Sequence, residues 1–388
     1  MKLRITLISF AFILIASVAK AQTTDDVLNL LIAKGTITQQ EADSLRADYA
    51  IKQQDIKAKQ TLFGVNSFGK LSIDGYTQVR YQSFQNQTVT PADGFDVRRV
   101  RLDFTGTIGS QFDYRAQIDF GGTAVTPLDL YIVYKPFKDY LKFTAGQFYV
   151  PFSLENISSD KSLDFIDRSQ VVNALVARKG DASNNKFVAD SIGNQNGRDV
   201  GIQASGSLIP FNGGKLVDYY VALLNGSGIN AVDNNKDRDI SARVVVHPVK
   251  GLDLGGSYYN GDDKFVVKNG DRFRWGFEGA YAYKAFTVKA ELISGQTGNT
   301  LGAHVDQQGG YVQAGYFFVP KKFQFVLKYD TYDPNQNVSG LQSTFYIAGA
   351  NYYFNSWAKI QVDYRKADGK GAVNSGNDLF STQLQIVF

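Results

Sequence analysis

The sequence predicts an all-β fold, a 16-stranded antiparallel transmembrane β-barrel behind a short N-terminal helical periplasmic segment. Three observations carry this. From Lys70 to the last residue, apolar and polar side chains alternate with a period of two in sixteen successive segments, as expected when one strand face meets lipid and the other water. The connections between these segments alternate long and short. The composition holds 22 Tyr, 28 Phe and 37 Gly but one Met and two Trp, while the mean hydropathy is only −0.21. A wall that is apolar outside and polar inside averages out this way.

The N-terminal residues read as an export signal over residues 1–21. Lys2 and Arg4 form a positive start, Ile5 to Val18 an apolar stretch, and Ala19-Lys20-Ala21 a small-x-small cleavage site, so the mature chain is expected to begin at Gln22. The apolar stretch is shorter than the roughly 20 residues a spanning helix needs. The chain has no cysteine, so disulfides contribute nothing to its stability. Residues 22–65 are expected to be a helical periplasmic segment. Val27, Leu28, Leu30, Leu31 and Ile32 precede Gly35, and Thr38-Gln39-Gln40-Glu41 reads as a capping box ahead of Ala42, Leu45 and Tyr49. A solvated helical hairpin and a small oligomerising or cell-wall contact both fit this segment.

Residues 66–388 read as one barrel domain. The expected strands span 70–83, 97–108, 111–120, 128–136, 141–149, 198–208, 215–225, 238–248, 252–260, 271–284, 286–295, 309–319, 323–331, 343–354, 358–366 and 379–388. Short turns such as Gly109-Ser110 alternate with long loops such as 84–96 and 150–197. Long external loops and short periplasmic turns characterise outer-membrane barrels. An even strand count brings the last strand beside the first. The pair must seal, because lipid offers no partner to a bare sheet edge.

With the aliphatic and aromatic register assigned to lipid, charged side chains fall on the inner face. Arg80, Arg99, Arg101, Arg115, Lys135 and Lys142 are expected to line a water-filled pore as an anion path, since a charge facing hydrocarbon costs about 2–4 kcal/mol and arginine presents a planar fork of donors to phosphate. Acids such as Asp74, Asp103, Asp113, Asp119, Asp129, Glu278, Glu291, Asp330 and Asp363 share that face. Mutual neutralisation, giving weak selectivity, is the competing reading. The long connection 150–197 is the expected constriction loop. Its candidate residues are Phe152, Ser153, Glu155, Lys161, Arg168, Arg178 and Lys179, and Phe148, Phe152 and Leu154 are placed to anchor its start. It either folds into the barrel or covers the mouth.

Other chemistries find little support. The net charge of +4 is spread along the chain without the basic block that nucleic-acid binding calls for. His247 and His304 are the two histidines, and neither lies in a nucleophile motif. Asp233, Asp237 and Asp239 lack EF-hand spacing, and nothing calls for a metal or cofactor. The expected function is a passive outer-membrane channel for small ions and hydrophilic solutes. The alternative is a non-conducting structural or adhesive barrel.

Several motifs resemble a known family. Arg98-Arg99-Val100-Arg101-Leu102 leads into Phe104-Thr105-Gly106. Gly146-Gln147-Phe148 precedes Pro151-Phe152-Ser153-Leu154-Glu155. Arg198-Asp199-Val200-Gly201 and Leu224-Asn225-Gly226-Ser227-Gly228 follow. Together they are similar to the phosphate-selective porin O and P family over about residues 65–388. The resemblance implies a homotrimer of sixteen-stranded barrels, an inward-folded third loop, and uptake of phosphate or polyphosphate past a line of arginines.

Overall fold

Each of the sixteen expected segments forms a strand in the computed structural model, which describes residue 34 and residues 69–86, 93–122, 124–177, 197–211, 213–233, 236–264, 269–298, 304–369 and 377–388. Apart from Lys34, the expected export signal and helical segment lie outside the described residues. The first eight strands are β1 Gly69–Phe84, β2 Gly94–Ile108, β3 Phe112–Asp119, β4 Thr126–Tyr134, β5 Lys142–Tyr149, β6 Arg198–Phe211, β7 Gly214–Leu224 and β8 Asp239–Val249. The rest are β9 Leu252–Lys264, β10 Asn269–Tyr283, β11 Phe286–Gly298, β12 His304–Val319, β13 Phe323–Asp333, β14 Ser343–Tyr353, β15 Ala358–Gly369 and β16 Leu379–Val387. Each pairs antiparallel with its sequence neighbours, and β1 pairs with β16, so the sheet closes into a barrel. The backbone of Phe388 completes the seam, exchanging hydrogen bonds of 2.8 and 2.9 Å with Gly75.

Several strands run further outward than alternation alone predicts. β12 starts at His304 instead of 309, and β9 continues to Lys264 instead of 260. Beyond the hydrocarbon both faces meet water, so the apolar register fades while the backbone ladder continues. β4 ends at Tyr134, two residues before its expected end, which places Lys135 in the following turn. The short turns need unusual backbone geometry. Gly251 has φ 85° and its Cβ position faces the Ala282 carbonyl oxygen, so only glycine fits there.

Bulges correct the simple alternation at two places near the lumen. Between Gln78 and Val79 of β1 the partner register skips Arg98 of β2, and Arg98 turns inward to pair with a loop carboxylate. Between Ala116 and Ile118 of β3 the partner skips two residues of β4, so that Leu128 and Asp129 are both buried. An extra residue in one strand shifts which face its neighbours use.

The outer wall carries apolar residues such as Leu292, Leu327 and Ile132, all exposed, as a lipid-facing surface requires. Near the short turns aromatic rings gather: Phe112 stacks on Tyr134 at 5.0 Å, and Tyr352 meets Phe354 edge-on at 5.0 Å. Tyrosine rings, with one apolar and one polar end, suit the boundary between hydrocarbon and water.

Candidate functional site: the lumen and its inward loop

After β5 the chain enters the barrel. Ser153, at φ 69°, caps a single helical turn, α1 Leu154–Ile157, by accepting the Asn156 N–H at 3.2 Å. A wall side chain completes the cap: the Glu291 carboxylate of β11 accepts the N–H groups of Leu154 at 3.0 Å and Glu155 at 2.7 Å. Two more wall carboxylates on alternate strands act alike. Asp330 of β13 accepts the Gln170 N–H at 2.9 Å, and Asp363 of β15 accepts that of Ile166 at 2.7 Å. Free backbone amides in an irregular segment need such partners when buried.

Ion pairs continue the attachment. Glu155 pairs with Lys328 of β13 at 2.7 Å and accepts the Ser169 N–H at 2.7 Å. Asp160 receives Arg101 at 2.5 Å, Arg99 at 3.4 Å and Arg168 from within the loop. Asp164 takes Lys289 at 2.9 Å and Gln313 at 2.9 Å. Asp167 takes Arg98 at 2.5 Å and Arg80 at 3.4 Å. Lys161 reaches Asp74 of β1 at 3.6 Å. A π-helical turn, Val172–Ala177, packs its apolar side chains with Val171, Phe148 and Phe152 against Ile293, Tyr311 and Tyr332 of the wall. The described part of the loop therefore lies inside the barrel, the first of the two arrangements the sequence leaves open. Arg178 and Lys179 lie outside the described residues.

Most of the expected anion path is engaged by carboxylates. Arg101 is 2% exposed, held by Asp119 at 2.8 Å and by Asp160, and its Nη1 donates to the Tyr76 hydroxyl at 2.8 Å. Arg99 is buried and donates to Gln78 at 3.1 Å. Arg80 forks onto Asp96 at 2.8 and 3.0 Å. These three sit where the loop meets β1 and β2. Arg115 stands apart, with both oxygens of Asp103 at 2.5 and 2.8 Å and Asp129 at 3.1 Å. Lys135 and Lys142 lie at the turn end, bound to Asp113 at 2.7 Å and Asp139 at 3.0 Å. The Lys142 hydrogen bond holds the exposed Asp139 carboxyl below the usual carboxylate range.

The sequence reading passed over two parts of this arrangement. Arg98 sits in a lipid-facing position by simple alternation, and an arginine there was the available signal for a bulge. The run Val171–Val176, apolar except for Asn173, inside a polar loop was the signal for a packed anchor.

Opposite the loop's attachments lies a cavity of about 370 Å3, between Pro151 and Ile157 of the loop and the wall of β3–β8. Tyr131, Phe148, Tyr149 and Tyr220 supply its rings. Arg115, Lys142 and Arg243 face it together with Asp113 and Asp129, and Gln203 and Thr144 add neutral polar groups. Arg198, bound to Asp129 at 2.5 Å, lies over the Tyr149 ring at 3.7 Å. Arg243 donates to Glu278 at 3.0 Å. The described residues contain no cluster able to hold a metal ion.

Comparison with known proteins agrees with this geometry. The family described as phosphate-selective porin O and P matches residues 72–388. No curated protein matches the chain. Among solved structures, an anion-selective porin from Comamonas acidovorans is similar with a TM-score of 0.59 and 12% identity, covering 82% of this chain and 100% of that one. OmpT of Vibrio cholerae, in a trimer form, gives 0.58 and 12%, covering 83% and 100%. OmpF of Salmonella typhi in complex with daunomycin gives 0.59 and 13%, covering 84% and 99%. At these identities the likeness is one of fold.

Proposed function

The chain belongs to the phosphate-selective porin O and P family, and from that premise we propose how its lumen passes solutes. The protein is an outer-membrane porin, a passive channel rather than a structural barrel. The proposed route runs through the cavity between the loop and the β3–β8 wall, with residues 150–177 as the constriction. Arg80, Arg98, Arg99 and Arg101 act there as anchors of the loop, with their donors turned to carboxylates. Arg115, Lys142 and Arg243 supply the positive lining of the route against Asp113 and Asp129.

Three basic groups against two acids give a weak anion preference. A strong phosphate filter would need guanidinium groups free to meet the solute. The single observation carrying this reading is the loop's attachment to one side of the lumen with the cavity left on the other. The outer wall contacts outer-membrane lipid, and the functional unit is a homotrimer.

Planar-bilayer recording tests the reading. Purified protein should open steady channels, with chloride modestly more permeant than potassium. Lys142→Glu should move the reversal potential toward cation preference. Silent membranes would reject the channel route, and an unmoved reversal potential would remove Lys142 from it.

A further inference from the structure

We infer that the cavity beside the loop is a carbohydrate subsite, a place where a neutral sugar ring pauses on its way through the channel. The inference rests on the proposed route. Its argument is the chemistry of the lining. Tyr131, Tyr149 and Tyr220 are part-exposed and come from three different strands, β4, β5 and β7. Aromatic faces stack on the C–H face of a sugar ring, contact that inorganic ions cannot use. The polar groups are of both kinds. Asp113 accepts hydrogen bonds, Arg115 and Lys142 donate them, and Gln203 does both. A hydroxyl is donor and acceptor at once and is satisfied by such a mixture. A phosphate is anionic and is repelled by the Asp113 carboxylate here. The cations are already paired with acids, so the site is close to neutral and does not demand a charged guest. A volume of about 370 Å3 is within the range of small-molecule sites, roughly 300–1,000 Å3.

The cross-strand register supports a continuous surface. Tyr131 stands opposite Arg115 of β3, and Tyr220 opposite Arg243 of β8. The ring-and-charge pattern thus occurs at both ends of the cavity's wall. Apart from the Ser241 hydrogen bond to the Pro151 carbonyl and packing on Ala222 and Leu224, the loop attachments go to other strands, so most of this stretch of wall is left for the solute.

The test uses the full-length protein in planar bilayers with potassium chloride, and maltose as the probe. Maltose should lower the single-channel current in a saturable way. Mannitol at equal osmolality offers hydroxyls without a ring and should lower it only in proportion to viscosity. Tyr220→Ala should raise the half-blocking maltose concentration about three- to tenfold, the span expected for one lost ring contact. Tyr220→Phe should leave it unchanged. Heat-modifiable gel mobility like the parent's shows that both variants fold, and Tyr131→Ala gives an independent second variant. The carbohydrate assignment is overturned if maltose behaves like mannitol, if inorganic phosphate blocks more tightly than maltose, or if the alanine variants block like the parent. In those cases the open channel still stands. Absence of conductance would overturn both readings.

Discussion

A buried carboxylate that meets three guanidinium groups fixes a position more than it adds stability. Asp160 is fully enclosed, with Arg99, Arg101 and Arg168 around it. Taking such charges from water offsets most of their attraction, but removing one partner leaves the others stranded, at a cost of about 3–5 kcal/mol. Asp160→Ala should therefore loosen the loop, raising single-channel conductance and lowering the unfolding temperature. Exchanging Asp160 and Arg168 together for apolar residues of similar volume should restore stability better than the single change, since Arg101 keeps Asp119. Thermal unfolding followed by gel mobility separates the two outcomes. At this scale the sequence was partly legible. Period two placed Arg99, Arg101 and Arg115 inside, as found, because that pattern follows directly from strand geometry. It could not say which carboxylate each would meet, since Asp160 and Asp167 lie in a loop without periodicity. Nor could it place Arg98, because a bulge breaks the rule from which the placement is read.

At the level of elements, strands and loop were legible to different degrees. All sixteen strands were readable because lipid imposes the same apolar demand on each. Several outer ends were not, because that demand stops at the membrane surface while pairing continues, as in β9 and β12. The loop's inward course depends on side chains from β1, β2, β8, β9 and β11–β16 at once, information that no local window contains. Where the chain enters the loop, β5 is shaped by Gly146. Its φ of 130° is reached easily by glycine, and a Cβ there would press on the Leu130 carbonyl oxygen and lie 2.8 Å from the Tyr131 Cα. Gly146→Val should disturb the β4–β5 pairing and lower stability by at least about 1–3 kcal/mol, the usual penalty for a forced backbone conformation. Reduced yield of folded, heat-modifiable protein in detergent would record it, and a parent-like melting curve would contradict it.

For the molecule as a whole, the division between an apolar exterior and a polar interior is the main source of both location and function. Leu292 of β11 points outward and is exposed, whereas the part-exposed Gln203 of β6 lines the cavity. Leu292→Arg should cost about 2–4 kcal/mol near the bilayer midplane. Gln203→Arg, facing water, should cost far less. Folding titrations into lipid vesicles would show equal effects if the two faces were assigned wrongly. The seam between β1 and β16 has a further consequence for how the barrel assembles. Gln78 and Gln385 meet across it although 307 positions separate them. Because loop-closure entropy grows only with the logarithm of length, this contact is about 3 kcal/mol more demanding than that of a hairpin of about 15 residues. The equilibrium tolerates that easily, but the search does not: contacts so distant along the chain form slowly. The zipping of the last strand onto the first is thus expected to be the slow event of assembly, and a half-built barrel waits with two open edges until it happens.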